Sequence, residues 1–166
     1  MAVSSTTFAA IRNQQVETIR ALTPTRLAAN KYVYAPTKFE FVDFRTWAED
    51  NDTSCFRQYA IMQTGWEQLS VGDLDVELRV SNEELIIAYP HGWAQYRDAS
   101  PDTNLDDMSD LIEQDLNLIS KAIGYRGAAS YLAGQHAAIE SEFTIDDGDG
   151  VSFGVLPLLV TYYHDA

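Results

Sequence analysis

Asp102, Asp106, Asp107, Asp110, Glu113 and Asp115 crowd one predicted helix face of the chain. Carboxylates buried together can act as acid and base or hold a metal. These six fall mainly opposite a stripe of Leu and Ile, so a solvated acidic helix face is the expectation. The stretch Asp146-Asp-Gly-Asp-Gly150 concentrates oxygens as a calcium loop does, yet the late bidentate Glu such a loop needs would fall on Pro157. A solvated hairpin turn is expected there instead. His91, His136 and His164 form no i, i+4 pair and lie away from the cysteine, so zinc-type spacing is absent. The reading is a protein with no catalytic residues, no metal ligands and no cofactor.

Function is then expected in surfaces. Trp47, Trp66, Trp93 and Tyr96 lie in predicted loops or loop edges, where aromatics serve as core anchors or as interface anchors. Tyr162 and Tyr163 face opposite ways on the last predicted strand. One is expected to pack on a helix, and the other needs a second cover that a neighbouring subunit can supply. Trp66, Trp93, Tyr96 and Tyr163 are the candidate interface residues.

The elements that position these groups follow from periodicity. Leu105, Met108, Ile112, Leu116, Ile119 and Ile123 recur at steps of three and four and predict a helix from about Asn104 to Ile123. Thr103 with Asp106 resembles a capping box, Lys121 suits the negative end, and Gly124 suits a left-handed cap. A first helix is predicted from Phe8 to about Leu22, with candidate caps at Ser4–Thr7 and a stop at Pro24. Lys38–Phe44 alternates imperfectly and is read as a short strand or extended arm. Glu49–Ser54 is a polar loop.

Strands are predicted at Phe56–Gln63, Asp75–Val80, Leu85–Tyr89, Ile139–Ile145 and Gly154–Tyr163. Trp66–Asp73 reads as a connection and Ser81–Glu84 as a turn. Leu85–Tyr89 and the last strand are apolar on both faces, as central strands are. Together these define an α+β fold. Its antiparallel or mixed sheet is packed by an N-terminal helix and by the long helix near residues 104–123.

The 166 residues suit a single domain spanning 1–166. No run of about 18 apolar residues exists, so no spanning helix is expected. The first residues lack the basic and apolar parts of a signal peptide, and the lone Cys55 fits synthesis in a reducing cytoplasm. Eleven Lys and Arg against 25 Asp and Glu give a net charge of −14, and lysine occurs only at Lys31, Lys38 and Lys121. Such a chain repels nucleic-acid phosphates. Its acidity is shared by proteins of salt-adapted hosts and by ordinary acidic proteins.

The order of parts resembles the tail terminator, or tail completion, proteins of long-tailed bacterial or archaeal viruses. The likeness lies in the helix Phe8–Leu22, the strands Phe56–Gln63 and Asp75–Tyr89, the helix opening Leu105-Asp-Asp-Met-Ser-Asp-Leu-Ile-Glu113, and the closing Leu159-Val-Thr-Tyr162. It covers most of the chain. The resemblance implies a virion protein of the tail or neck, made in the host cytoplasm. It implies a homohexameric ring that caps the tail tube protein and meets the head–tail connector protein. Genome DNA would pass through an acidic lumen without specific binding. The alternatives are another neck or head-completion connector, and a small cytoplasmic enzyme or ligand-binding α+β domain.

Overall fold

Helix α1 (Phe8–Arg20) begins where Thr7 caps it, the Thr7 hydroxyl accepting from the Ala10 amide at 3.1 Å. The computed structural model describes residues 7–24, 34–36, 43–52, 54–71, 76–91, 105–123, 136–139 and 143–165. Strand β1 is Ala35–Pro36, and α2 is Phe44–Asp50. Asp43 caps α2, one carboxylate oxygen accepting from the Arg45 amide and the other from the Thr46 hydroxyl. The end of the expected strand or arm at Lys38–Phe44 is therefore a helix start, and residues 37–42 lie outside the described residues.

The sheet is built on three long strands, β2 (Gln58–Val71), β3 (Val76–Pro90) and β6 (Val151–Asp165). Helix α3 (Leu105–Ile123), β4 (His136–Ile139) and β5 (Thr144–Asp147) lie between β3 and β6 in the chain. The sheet order is β1-β2-β3-β6-β4, with β5 also on β6. Among the described residues, only the β1–β2 pairing is parallel. The fold is α+β, as periodicity implies.

Three strand limits differ from the sequence reading. The expected connection at Trp66–Asp73 is strand through Val71, with residues 72–73 outside the described residues. The register shift between Gln63 and Gly65 leaves Thr64 unregistered while Gly65 pairs with Asn82, so the glycine does not end the strand. The expected turn at Ser81–Glu84 is the interior of β3. Each of its residues is registered against β6, and pairing on both sides overrides a polar composition. Of the expected strand Ile139–Ile145, residues 140–142 lie outside the described residues, and its two ends belong to β4 and β5. β4 takes Leu158–Thr161 and β5 takes Ser152–Val155 along the same edge of β6.

Helices α1 and α3 cover one face of the sheet. Ile112, Leu116, Ile119 and Ile123 of α3 pack with Ile19 of α1 over Tyr59, Ile61, Leu85, Ile87, Leu156 and Leu158. Helix α2 covers part of the other face, where Phe44 and Ala48 meet Ala60, Ile86, Ala88, Phe153 and Val155. That is why β6 is apolar on both faces. Tyr162 is buried beside Ile11 and Val160, so it is the tyrosine of the pair that packs on a helix.

Gly154 lies where α3 crosses the sheet. A Cβ at this position would stand 2.9 Å from Ile112 Cγ2, 3.0 Å from Leu116 Cδ1 and 3.1 Å from Ile87 Cγ2. The absent side chain sets how closely helix and sheet approach.

Candidate functional site

The most elaborate polar arrangement is buried. Asp115 of α3 is fully enclosed, as is Arg57, which precedes β2. Arg57 donates from Nε to Asp115 Oδ2 at 2.8 Å and from Nη2 to Oδ1 at 3.1 Å. The Tyr34 hydroxyl donates to Oδ1 and the Tyr89 hydroxyl to Oδ2, both at 2.7 Å. The guanidinium also stands over the rings of Tyr34 and Phe56. Burial first, then the neighbouring carboxylate, pushes both tyrosine hydroxyls well above their ordinary range. Arg57 holds a left-handed backbone with φ of 57°, rare for a side-chain-bearing residue, and its amide donates to Ala88 O.

Two donors on each oxygen fill this carboxylate. It has no vacant lone pair with which to act as a base or to hold a metal, and it ties α3 to the start of β2, the end of β3 and the segment before β1. Asp115 therefore departs from the expected solvated acidic face, while Asp110 and Glu113 do face solvent. The signal was positional: Asp115 is four residues after Leu111 and three after Ile112, inside the apolar stripe. Asp102 lies outside the described residues, and the side chains of Asp106 and Asp107 are not described.

A second polar chain closes the end of the sheet. His91 Nε2 lies 3.0 Å from Ser152 Oγ, and Ser152 Oγ donates to Asp147 Oδ1 at 2.8 Å. The serine proton is committed to the carboxylate, so the imidazole nitrogen is the donor to the serine. A serine nucleophile requires the reverse, with histidine accepting that proton. This arrangement is a clasp between β3, β5 and β6. The Asp146–Gly150 segment is the end of β5 and a turn, with Gly150 at φ of 74° and the Gly148 amide donating to Val151 O. Arg45 of α2 pairs with Asp146 at 3.0 Å and offsets part of its charge. Among the described residues, no three His, Cys, Asp or Glu side chains gather to hold a metal.

The third arrangement lies at the sheet edge. Among the described residues, β1 meets β2 at Gln58 and Tyr59. Among the described residues, the outer edge of β2 from Ala60 to Val71 has no strand partner. Trp66 stands on this segment, 51% exposed, with the Arg79 guanidinium 4.0 Å from its ring centroid. Trp66 is thus a strand residue and not a loop residue. Trp93 and Tyr96 lie outside the described residues. Tyr163 is in β6, and its side chain is not described.

A fourth feature lies under α1. Glu83 is 2% exposed, Gln15 is fully buried, and none of their four side-chain polar atoms has a hydrogen-bond partner. The sequence reading placed Glu83 in a turn and missed the pair. No known family profile matches the chain, and a search of curated proteins returns no match.

Proposed function

We propose that this chain is a structural protein that assembles into a ring, as a tail terminator of a long-tailed virus. In this reading the ring caps the tail tube, meets the head–tail connector, and lets genome DNA through its centre. The observation that carries the proposal is the outer edge of β2. An unpaired strand edge is a template for another chain, and edges meant to stay free are blunted with Lys, Pro or bulges. Register shifts at Gln63/Gly65 and Gln68/Ser70 bend this edge, but from Ala60 to Val71 it has neither Lys nor Pro, and its sole charge is Glu67. The exposed Trp66, steadied by Arg79, has the size and rigidity of an interface anchor.

When the β2 edge of one copy pairs with a different surface of the next, such as its β4 side, the contact is head-to-tail and closes into a ring if the rotation per subunit closes; β2 on β2 would give only a two-fold dimer. A charge of −14 on every subunit opposes that assembly. Salt should therefore strengthen it, as the screening length falls from about 10 Å at 0.1 M to about 3 Å at 1 M. Sedimentation and negative-stain imaging across a salt series test the reading. Rings that grow with salt, bind a tail tube and are weakened by Trp66→Ala support it. A monomer at every salt concentration that ignores the tube overturns it. Rings that bind only a portal-side connector would make the protein a different neck component.

A further inference from the structure

Helix α1 rests on the sheet through three fully buried side chains, Ile11, Gln15 and Ile19. They recur at steps of four, so they form one contact row. The middle of that row is polar, and the β3 residue it meets is Glu83. Ile11 packs on Val160 and Tyr162 at one end, and Ile19 joins the main core at the other. An apolar pair of the same volume would fasten the helix better, because buried polar atoms without partners cost stability. The helix is thus held at its ends over a destabilised centre.

We propose that Gln15 and Glu83 form a protonation-controlled latch, with α1 docked on the sheet when the Glu83 carboxyl is neutral and loosened when it is charged.

The surroundings of Glu83 set the sign. Arg12 and Gln15 approach from α1 and favour the charged form, Gln15 without reaching hydrogen-bond geometry. Tyr162 of β6 senses the Glu83 charge, and Arg79 of β3 and Gln63 of β2 stand against that tyrosine. Gln63 also donates to Ser81 beside Glu83 on β3. Helix α3 turns Asp110, Glu113 and Lys121 to solvent and commits Asp115 to Arg57. Burial outweighs these groups and pushes the Glu83 carboxyl up to about 7. Once α1 lifts, water reaches the carboxyl and its ordinary value near 4.5 returns. Between these values the docked state holds a proton that the released state has lost. Docking therefore weakens as pH rises through this window and levels off above it, by about three hundredfold in all.

Hydrogen exchange of the full chain, corrected for intrinsic rates, tests the latch with α3 as the internal reference. Protection of α1 should fall by about two orders of magnitude from pH 5 to pH 8 while α3 stays protected. Glu83→Gln, which stays neutral, should keep α1 protected at both pH values, and Glu83→Leu should do the same. Equal loss in wild type and variants overturns the latch, as does loss of α1 and α3 together. A direct measurement needs no variant: the Glu83 carboxyl carbon followed by NMR should titrate near pH 7, and a midpoint near 4.5 overturns the proposal.

Discussion

Arg57 and Asp115 meet side-on, Nε against Oδ2 at 2.8 Å and Nη2 against Oδ1 at 3.1 Å, with both side chains sealed from water. Two tyrosine hydroxyls complete the carboxylate. Breaking such a pair leaves a buried charge without compensation, whereas replacing the whole pair with apolar groups is far less costly.

Asp115→Ala should therefore cost about 3–5 kcal/mol. Urea unfolding measures it. Arg57→Met combined with Asp115→Leu should cost less than the sum of the two single changes, because the uncompensated charge is gone. Strict additivity would show that the pair is not coupled.

Truncation in the α3 stripe gives a second test. Ile112 and Leu116 are fully buried. Either changed to Ala should lose about 2–5 kcal/mol through lost burial and the cavity left behind. Loss below about half a kcal/mol would place the stripe in solvent.

Gly154→Ala adds a methyl group where three side-chain atoms already stand within 3.1 Å. Two of these atoms are Cγ2 groups of isoleucine, fixed close to their own backbones. Overpacking should cost about 1–3 kcal/mol, read as a lower thermal midpoint. An unchanged midpoint would mean that α3 can move away freely.

Cys55 is buried, and burial first, with Asp52 adding, pushes its thiol up to about 11. Thiolate is the reactive form, and with that value it is about one part in a thousand at pH 8. Maleimide labelling of the folded protein should be slow at pH 8 and become rapid on unfolding. Rapid labelling in the native state would contradict the burial.

The two main helices were legible because their information is local. Thr7 caps α1, and the steps of three and four in α3 need no partner to be recognised. The strands were legible in their apolar centres, such as Leu85–Tyr89, and illegible where polar residues are held by neighbours on both sides, as at Ser81–Glu84. Asp115 was misread because its charge was weighed above its place in the stripe. Glu83 was misread because a buried, unpartnered carboxylate is rare and a polar tetrapeptide ordinarily turns. The outer edge of β2, without a strand partner among the described residues, could not be read at all, since which edge stays open depends on which strands come together.

The placement of β6 sets the order in which this molecule can be completed. β6 is C-terminal to every strand it joins: β3 on one side, β4 and β5 on the other. A chain growing from its N-terminus makes the β2–β3 hairpin first and then waits for the strand that covers the remaining edge of β3. Helix α3, made in the interval, has no finished floor until Gly154 lies beneath Ile112 and Leu116. Sheet closure and helix docking are therefore one long-range event, the kind that folds slowly and leaves an open strand for the longest time. During synthesis the second edge of β3 therefore stands open until β6 arrives to cover it.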